Sequence, residues 1–122
     1  MESLLIRGGV PLHGQVCISG AKNAVLPIMA ATLLTREPCV IRRVPKLSDV
    51  RFMGQILQWL GAKVEFDGDV VRIEAAKVKG HADYELVRQM RGSICIMGPL
   101  LARLRKTAVS LPGGCVIGAR PI

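Results

Sequence analysis

The apolar residues of the chain recur at helical spacing in some segments and alternate with polar residues in others. The most regular helical stripe is predicted over residues 48–61, with Ser48 as the N-cap, Asp49 in the first turn and Gly61 at the C-terminal stop. Its apolar positions are Val50, Met53, Ile56, Leu57 and Leu60. This stripe predicts a helix with one face buried in a core.

Alternation of apolar and polar residues predicts the strands. Residues 63–66 and 70–74 alternate on either side of Asp67-Gly68-Asp69, and this combination predicts a β-hairpin. Further short strands are predicted at residues 4–7, 15–19, 39–41 and 108–111.

Two other segments have helical patterns. Residues 20–34 predict a helix with Pro27 in its first turn, where a proline is tolerated. Residues 82–106 predict a helix that is broken at Gly98-Pro99. Over residues 15–74 the predicted order is therefore β-α-β-α-β-β, and residues 15–76 form one unit. Residues 77–122 begin a second unit that does not finish, so we expect the chain to be a fragment of a larger repeating α/β protein.

Composition limits the class of protein. The chain has 122 residues and a mass of 13.2 kDa, room for one small domain, and half of its residues are apolar, which excludes a disordered chain. The formal net charge of +8 indicates anionic partners. Only two Phe, one Trp and one Tyr are present, too few for a surface that stacks nucleic-acid bases. We expect no nucleic-acid partner, although a basic nucleic-acid-binding α/β module remains an alternative.

The apolar runs and the cysteine spacing bear on the location of the protein and on metal binding. No apolar run reaches the about 20 residues of a membrane span, and the start has no secretory signal pattern, so we expect a cytoplasmic protein with no membrane insertion. The cysteines form no Cys-x-x-Cys pair, which argues against a zinc site and a disulfide framework. No metal is expected. Cys17, Cys39 and Cys95 lie among apolar residues and are interpreted as packing residues.

Two places along the chain are suited to binding an anion. Lys22 and Asn23 begin a predicted helix, where backbone N–H groups and the helix dipole favour negative charge. Arg91 lies just before Gly92-Ser93 at a second predicted helix start, where its guanidinium can grip a phosphate or carboxylate. A solvated lysine and a solvated basic face are the plain alternatives. The latter applies above all to Arg103, Arg105 and Lys106, which cluster with Arg88 and Arg91 around the second long predicted helix.

A glycine-rich segment near the end carries the fourth cysteine. Gly113, Gly114 and Gly118 predict a mobile loop, and Cys115 on such a loop near Arg120 is expected to be exposed and reactive. An ordinary exposed cysteine is the alternative.

Taken together, four segments resemble the bacterial UDP-N-acetylglucosamine 1-carboxyvinyltransferases, a family of enolpyruvyl transferases. The resemblance runs in order over residues 4–122 and covers only the amino-terminal part of a much longer enzyme. The segments are Ser19-Gly20-Ala21-Lys22-Asn23-Ala24, Arg91-Gly92-Ser93-Ile94, Gly98-Pro99-Leu100-Leu101-Ala102-Arg103 and Leu111-Pro112-Gly113-Gly114-Cys115-Val116-Ile117-Gly118-Ala119-Arg120-Pro121.

The resemblance implies a fold and a reaction. The fold is an inside-out α/β barrel of repeated βαβαββ units, incomplete in this chain, in which residues 1–14 hold a strand of the other lobe. The reaction is transfer of the enolpyruvyl group of phosphoenolpyruvate to the 3′-hydroxyl of UDP-N-acetylglucosamine with release of phosphate, the first committed step of peptidoglycan synthesis. No cofactor is implied. The missing remainder of the chain is implied as a partner, so the chain alone is expected to be inactive.

The resemblance also implies residue roles. Cys115 is the proton donor, can form a covalent adduct with phosphoenolpyruvate, and is the thiol alkylated by fosfomycin. Lys22 and Asn23 bind phosphoenolpyruvate and the sugar. The phosphate groups of UDP-N-acetylglucosamine are bound by Arg91, Arg120, Pro121 and Ile122. The nearest alternative is the sister family that transfers enolpyruvate to shikimate phosphate, which does not rely on this cysteine.

Overall fold

The structure is a computed structural model that describes residues 3–111 and residue 113. It mixes helices and strands, and the predicted α/β class is confirmed. A 3-10 turn at Thr32–Leu34 extends the first helix, and a 3-10 helix at Arg91–Ile96 leads directly into the last one. The helices are α1 (Lys22–Ala31), α2 (Ser48–Trp59), α3 (Tyr84–Val87) and α4 (Met97–Leu104), and the strands are β1 (Cys39–Ile41), β2 (Lys63–Asp67) and β3 (Val70–Glu74).

The three strands form one antiparallel sheet in the order β1-β3-β2. The predicted hairpin is confirmed, because Asp67 pairs with Val70 and Gly68 takes a φ of 60°, a left-handed conformation that suits glycine in a tight turn. Val64 faces Ile73 across the hairpin, and both side chains are buried. One face of the sheet therefore contributes to the core.

Helix α2 supplies the centre of that core. All the apolar residues of its predicted stripe are buried, and Met53, Leu57 and Leu60 are fully so. The helix starts one residue earlier than predicted, because Leu47 is its N-cap and Ser48, the predicted N-cap, is its first residue. It ends before Gly61, which has a φ of 104° and so occupies the left-handed position common after a helix.

The helix predicted over residues 20–34 is present as α1 and its 3-10 extension, but Pro27 is not in its first turn. Pro27 is the sixth residue of α1. Its side chain is exposed, so the helical carbonyl that loses its N–H partner there can be hydrated instead. Val25, Met29 and Leu33 point into the core.

The structure corrects the prediction for residues 82–106. The helical path is interrupted after α3, between Arg88 and Met90, and not at Gly98-Pro99. These two residues are the second and third of α4, where a proline sacrifices no regular helical bond within that helix. A strand over residues 108–111 was also predicted, but only Ala108 forms a β-bridge, to His81.

The strands predicted at residues 4–7 and 15–19 are absent. The structure gives residues 3–19 no regular secondary structure, and their apolar side chains are exposed, with Leu12 at 94% and Ile18 at 74%. A strand needs hydrogen-bonding neighbours, and the described residues place no strand beside this segment. Cys17 is accordingly exposed and is not a packing residue, whereas Cys39 and Cys95 are half-buried.

Two long elements lie side by side and run in the same direction. The start of α1 packs on the 3-10 helix Arg91–Ile96, and the turn Thr32–Leu34 packs on α4. Arg103 of α4 fastens their far ends, because its guanidinium donates to the carbonyl oxygens of Leu33 (2.9 Å) and Thr35 (3.1 Å), and also to that of Ala76 (2.9 Å). Both elements therefore begin at the same end of the molecule.

Candidate functional site

A cleft of about 430 Å³ opens where α1, α2 and the 3-10 helix Arg91–Ile96 begin. Lys22 and Asn23 line it from the first two positions of α1, and Arg91 lines it from the first position of the 3-10 helix. These residues, predicted from separate motifs, are thus brought together in space.

The start of α1 is held by a close backbone contact. A Cβ atom on Gly20 would collide with the carbonyl oxygen of Arg43, so only glycine fits this approach. The guanidinium of Arg43 also donates to the carbonyl oxygen of Ile18 (3.0 Å). Arg43 has a φ of 61°, unusual for a residue with a side chain. Its backbone and its side chain thus both contact the segment just before Lys22.

The start of the 3-10 helix is held by Ser93 and Gly92. Ser93 is fully buried, and its hydroxyl lies 2.7 Å from the carbonyl oxygen of Met90 and 2.9 Å from that of Val87. A Cβ atom on Gly92 would lie 3.0 Å from Leu26 of α1, so glycine permits the two elements to approach closely. The Arg-Gly-Ser sequence thus places Arg91 beside the start of α1.

The charges of the cleft are not all positive. Asp49, the second residue of α2, lies with its Oδ2 atom 2.8 Å from the Nζ atom of Lys22. The prediction gave Asp49 only a role in the first turn of its helix, so the sequence analysis missed its place in this cleft. The pattern of the sequence holds no signal for the contact, because it depends on how α1 packs against α2.

The described part of the glycine-rich segment approaches the same region. A Cβ atom on Gly113 would collide with the carbonyl oxygen of Arg88, the residue that ends α3. Arg88 precedes Arg91 by only three residues. The other predicted site residues, Cys115, Arg120, Pro121 and Ile122, lie outside the described residues.

The remaining basic residues separate into different roles. Arg88 is exposed, pairs with Glu85 at 3.4 Å and lies over the ring of Tyr84. Arg105 and Lys106 are exposed, as the interpretation of a solvated face expected. Arg103 does not fit that interpretation, because its three bonds to backbone carbonyls give it a structural role.

Over residues 3–111 no group of three or more His, Cys, Asp or Glu side chains is placed to hold a metal ion. Over the same residues no helix is long and apolar enough to cross a membrane.

A second groove, of about 480 Å³, lies between α2 and the hairpin. Phe66 and Leu47 line it together with Lys46 and Arg51. It contains none of the predicted site residues, so the cleft at the helix starts is the better candidate although the groove is slightly larger.

The fold and the cleft define an α/β protein in which the cationic side chains of Lys22 and Arg91, from separate elements, line one cleft. The family model described as EPSP synthase (3-phosphoshikimate 1-carboxyvinyltransferase) matches residues 6–122. The chain belongs to this family of enolpyruvyl transferases.

Individual relatives agree with this family. The chain is 60% identical to the UDP-N-acetylglucosamine 1-carboxyvinyltransferase of Methylacidiphilum infernorum and 57% identical to that of Akkermansia muciniphila. Each comparison covers all of this chain and 29% of the relative, so the chain spans less than a third of the relatives' length. The crystal structure of the enolpyruvyl transferase NikO from Streptomyces tendae is similar with a TM-score of 0.68 and 26% identity, over 79% of this chain and 23% of that one. The predicted fold class is confirmed.

Proposed function

We propose that this chain is the amino-terminal part of a UDP-N-acetylglucosamine 1-carboxyvinyltransferase and supplies part of its active site. The observation that carries the proposal is the convergence of Lys22, Asn23 and Arg91 on one cleft. The names of the relatives that are 48% to 60% identical over the whole chain support the nucleotide sugar as acceptor. By this proposal the protein acts in the cytoplasm, at the first committed step of peptidoglycan synthesis.

The substrates explain why cations must converge. Phosphoenolpyruvate carries a phosphate and a carboxylate, and the nucleotide sugar carries a diphosphate. Lys22 offers a compact ammonium charge and Arg91 offers a planar fork suited to two oxygens of one anion. Asn23 can donate to or accept from a sugar hydroxyl.

The reaction is an addition followed by an elimination. A proton is delivered to the methylene carbon of phosphoenolpyruvate, and the 3′-hydroxyl oxygen of the sugar forms a bond to the neighbouring carbon and loses its proton. Phosphate then leaves, and loss of a proton from the methyl group restores the double bond. We assign the first proton to the Cys115 thiol and the stabilisation of anionic groups to Lys22 and Arg91, with Arg120, Pro121 and Ile122 reserved for the nucleotide.

The division of the chain follows the same proposal. Residues 15–76 are one unit, residues 77–122 begin the next one, and residues 1–14 provide a strand to the other lobe. The exposed apolar residues at positions 4–18 are consistent with a segment that pairs elsewhere in a longer protein.

The test uses a chimera in which this chain replaces the matching segment of the Methylacidiphilum infernorum relative. We expect release of phosphate from phosphoenolpyruvate in the presence of UDP-N-acetylglucosamine. Shikimate 3-phosphate is the control acceptor and should give no release. Release of phosphate with shikimate 3-phosphate as acceptor, but not with UDP-N-acetylglucosamine, would contradict the proposed acceptor and favour the sister reaction.

Variants of the chimera test the role of Cys115. Cys115→Ser should lose nearly all turnover because a hydroxyl is too weak an acid, whereas Cys115→Asp should retain some. The matched control is Cys17→Ser, because Cys17 is exposed and lies outside the cleft. Fosfomycin should inactivate the Cys17→Ser variant but not Cys115→Asp, since a carboxylate is a much poorer nucleophile than a thiolate. Full activity of Cys115→Ser would remove Cys115 from the acid role.

A further inference from the structure

An acidic side chain lines a cleft that is otherwise suited to anions. Asp49 lies on the first turn of α2, and its carboxylate is 2.8 Å from the ammonium of Lys22 on the first turn of α1. Both residues line the cleft. A negative charge in this place repels an anionic substrate, so its presence requires an explanation other than attraction of the ligand.

Stability is a weak explanation for this ion pair. The side chain of Lys22 is 47% exposed and that of Asp49 is 29% exposed. Ion pairs with this degree of exposure contribute little to folding, because water screens them and two side chains must be ordered. The cores of α1 and α2 already pack against each other through buried apolar residues.

Orientation is the stronger explanation. The ammonium of a lysine sits on a flexible stem with four carbons and can occupy many positions around its backbone. The carboxylate of Asp49 belongs to a short side chain on the first turn of α2, so it has far fewer positions open to it than the ammonium of a lysine. An ion pair with this carboxylate restricts the ammonium of Lys22 to the side of the cleft.

We propose that Asp49 is a positioning residue that orients the Lys22 ammonium toward the reacting substrate. This inference rests on the proposed function. Orientation matters most in the transition state, so loss of Asp49 should lower kcat more than it raises KM. If Asp49 only competed with the substrate for Lys22, its removal would instead lower the KM for phosphoenolpyruvate.

The kinetic test compares Asp49→Asn and Asp49→Glu in the chimera. Asp49→Asn keeps the shape but removes the charge, and we expect kcat to fall about tenfold or more with a change of about threefold or less in the KM for phosphoenolpyruvate. Asp49→Glu restores the charge on a longer side chain and should recover a large part of the lost kcat. An unchanged kcat in Asp49→Asn overturns the proposal, as does a lower KM with the same kcat.

The matched control is Glu74→Gln. Glu74 pairs with Lys63 at 3.6 Å across β2 and β3 and does not line the cleft. This substitution also breaks a surface ion pair, so it shows what the loss of such a pair does by itself. We expect kcat and KM to stay at the wild-type values. A fall of kcat in the control equal to that in Asp49→Asn overturns the assignment of a special role to Asp49.

A second measurement does not depend on activity. NMR relaxation of the lysine Cε groups in this chain measures how freely each side chain moves. We expect Lys22 to be more restricted than Lys63, whose side chain is 78% exposed, and we expect Asp49→Asn to reduce this difference. Equal mobility of the two lysines overturns the proposal. If the chimera releases no phosphate, the proposed function fails, while the NMR comparison still decides whether Asp49 restrains Lys22.

Discussion

Residues 3–19 and residues 22–104 are both rich in apolar side chains, yet only the second region builds a core. Leu57 in α2 is fully buried, whereas Leu12 is 94% exposed. The regions differ in what surrounds them. Residues 22–104 contain three strands that pair with one another and helices that cover one face of the sheet. Residues 3–19 have no such neighbour among the described residues.

An apolar pattern shows that a segment needs cover from water, but it does not show whether the chain itself provides that cover. A helix satisfies its backbone hydrogen bonds within itself, so α1 and α2 form wherever their apolar faces find cover. The backbone hydrogen bonds of a strand, in contrast, are made to a neighbouring strand, so a strand forms only where such a neighbour is present. The chain spans 29% of the length of its relatives, and under the proposed function residues 1–14 pair with a strand of the other lobe.

The largest effect should come from a matched pair of leucines. Leu57→Ala should lower the free energy of unfolding by about 2–5 kcal/mol, because it leaves a cavity in the core. Leu5 is 82% exposed, and Leu5→Ala should change it by less than about 0.5 kcal/mol. Chemical denaturation of both variants is the measurement. Similar losses would show that residues 3–19 are packed in solution.

Arg103 tests whether the hydrogen bonds at the end of α4 contribute to the stability of the folded region. Arg103→Met should lower the free energy of unfolding by roughly 1.5–3 kcal/mol, since three backbone carbonyls lose a charged donor. Arg105→Met is the control, because Arg105 is exposed on the following turn, and its effect should stay below about 0.5 kcal/mol. The same denaturation experiment decides, and equal effects would contradict the structural role of Arg103.

Gly20 tests the boundary between the two regions. Gly20→Ala should lower the free energy of unfolding by roughly 1–3 kcal/mol, because the new methyl group collides with the carbonyl of Arg43. Backbone NMR shifts should change at Lys22 and Asn23, which follow directly. A Cβ atom on Gly8 meets no heavy atom within 4 Å, so Gly8→Ala should leave stability and shifts unchanged. An undisturbed start of α1 in Gly20→Ala would show that this close approach is absent in solution.

The smallest effect should come from the largest change in sequence. Removal of residues 1–14 should alter the free energy of unfolding of this chain by less than about 0.5 kcal/mol, because the described part of that segment is exposed throughout. Thermal melting of the shortened chain measures this. A clear loss of stability would mean that the segment contributes contacts to the core.

Features that depend on residues close together in the sequence were predicted correctly, whereas features that depend on distant contacts were not. The stripe of α2 and the turn at Gly68 are local patterns, and both predictions were correct. Pro99 was taken as a helix breaker because the sequence alone did not locate the start of α4 close enough to place it in the first turn. The strand at residues 108–111 failed because a single bridge to His81 is all the pairing that the described chain provides.

The candidate site was predicted only in part. Lys22, Asn23 and Arg91 were identified from local features of helix starts, and they do meet in one cleft. Asp49 was missed as a member of that cleft because its ion pair joins residues 27 positions apart on two different helices. The predictions for Cys115, Arg120, Pro121 and Ile122 stay predictions, since these residues lie outside the described part of the chain.

The hydrogen bonds of Arg103 determine which positions of this contact can be substituted during evolution. Its partners are main-chain oxygens, which every amino acid possesses, so the residues at positions 33, 35 and 76 can be exchanged without removing an acceptor. Only the donor side chain is chemically specific. In a saturation library, position 103 should therefore accept few substitutions, as should position 33, whose side chain is buried in the core, whereas position 76, whose side chain is exposed, should accept most of them. The hydrogen bonds of Arg103 can therefore persist while the acceptor residues change, as long as position 103 remains an arginine.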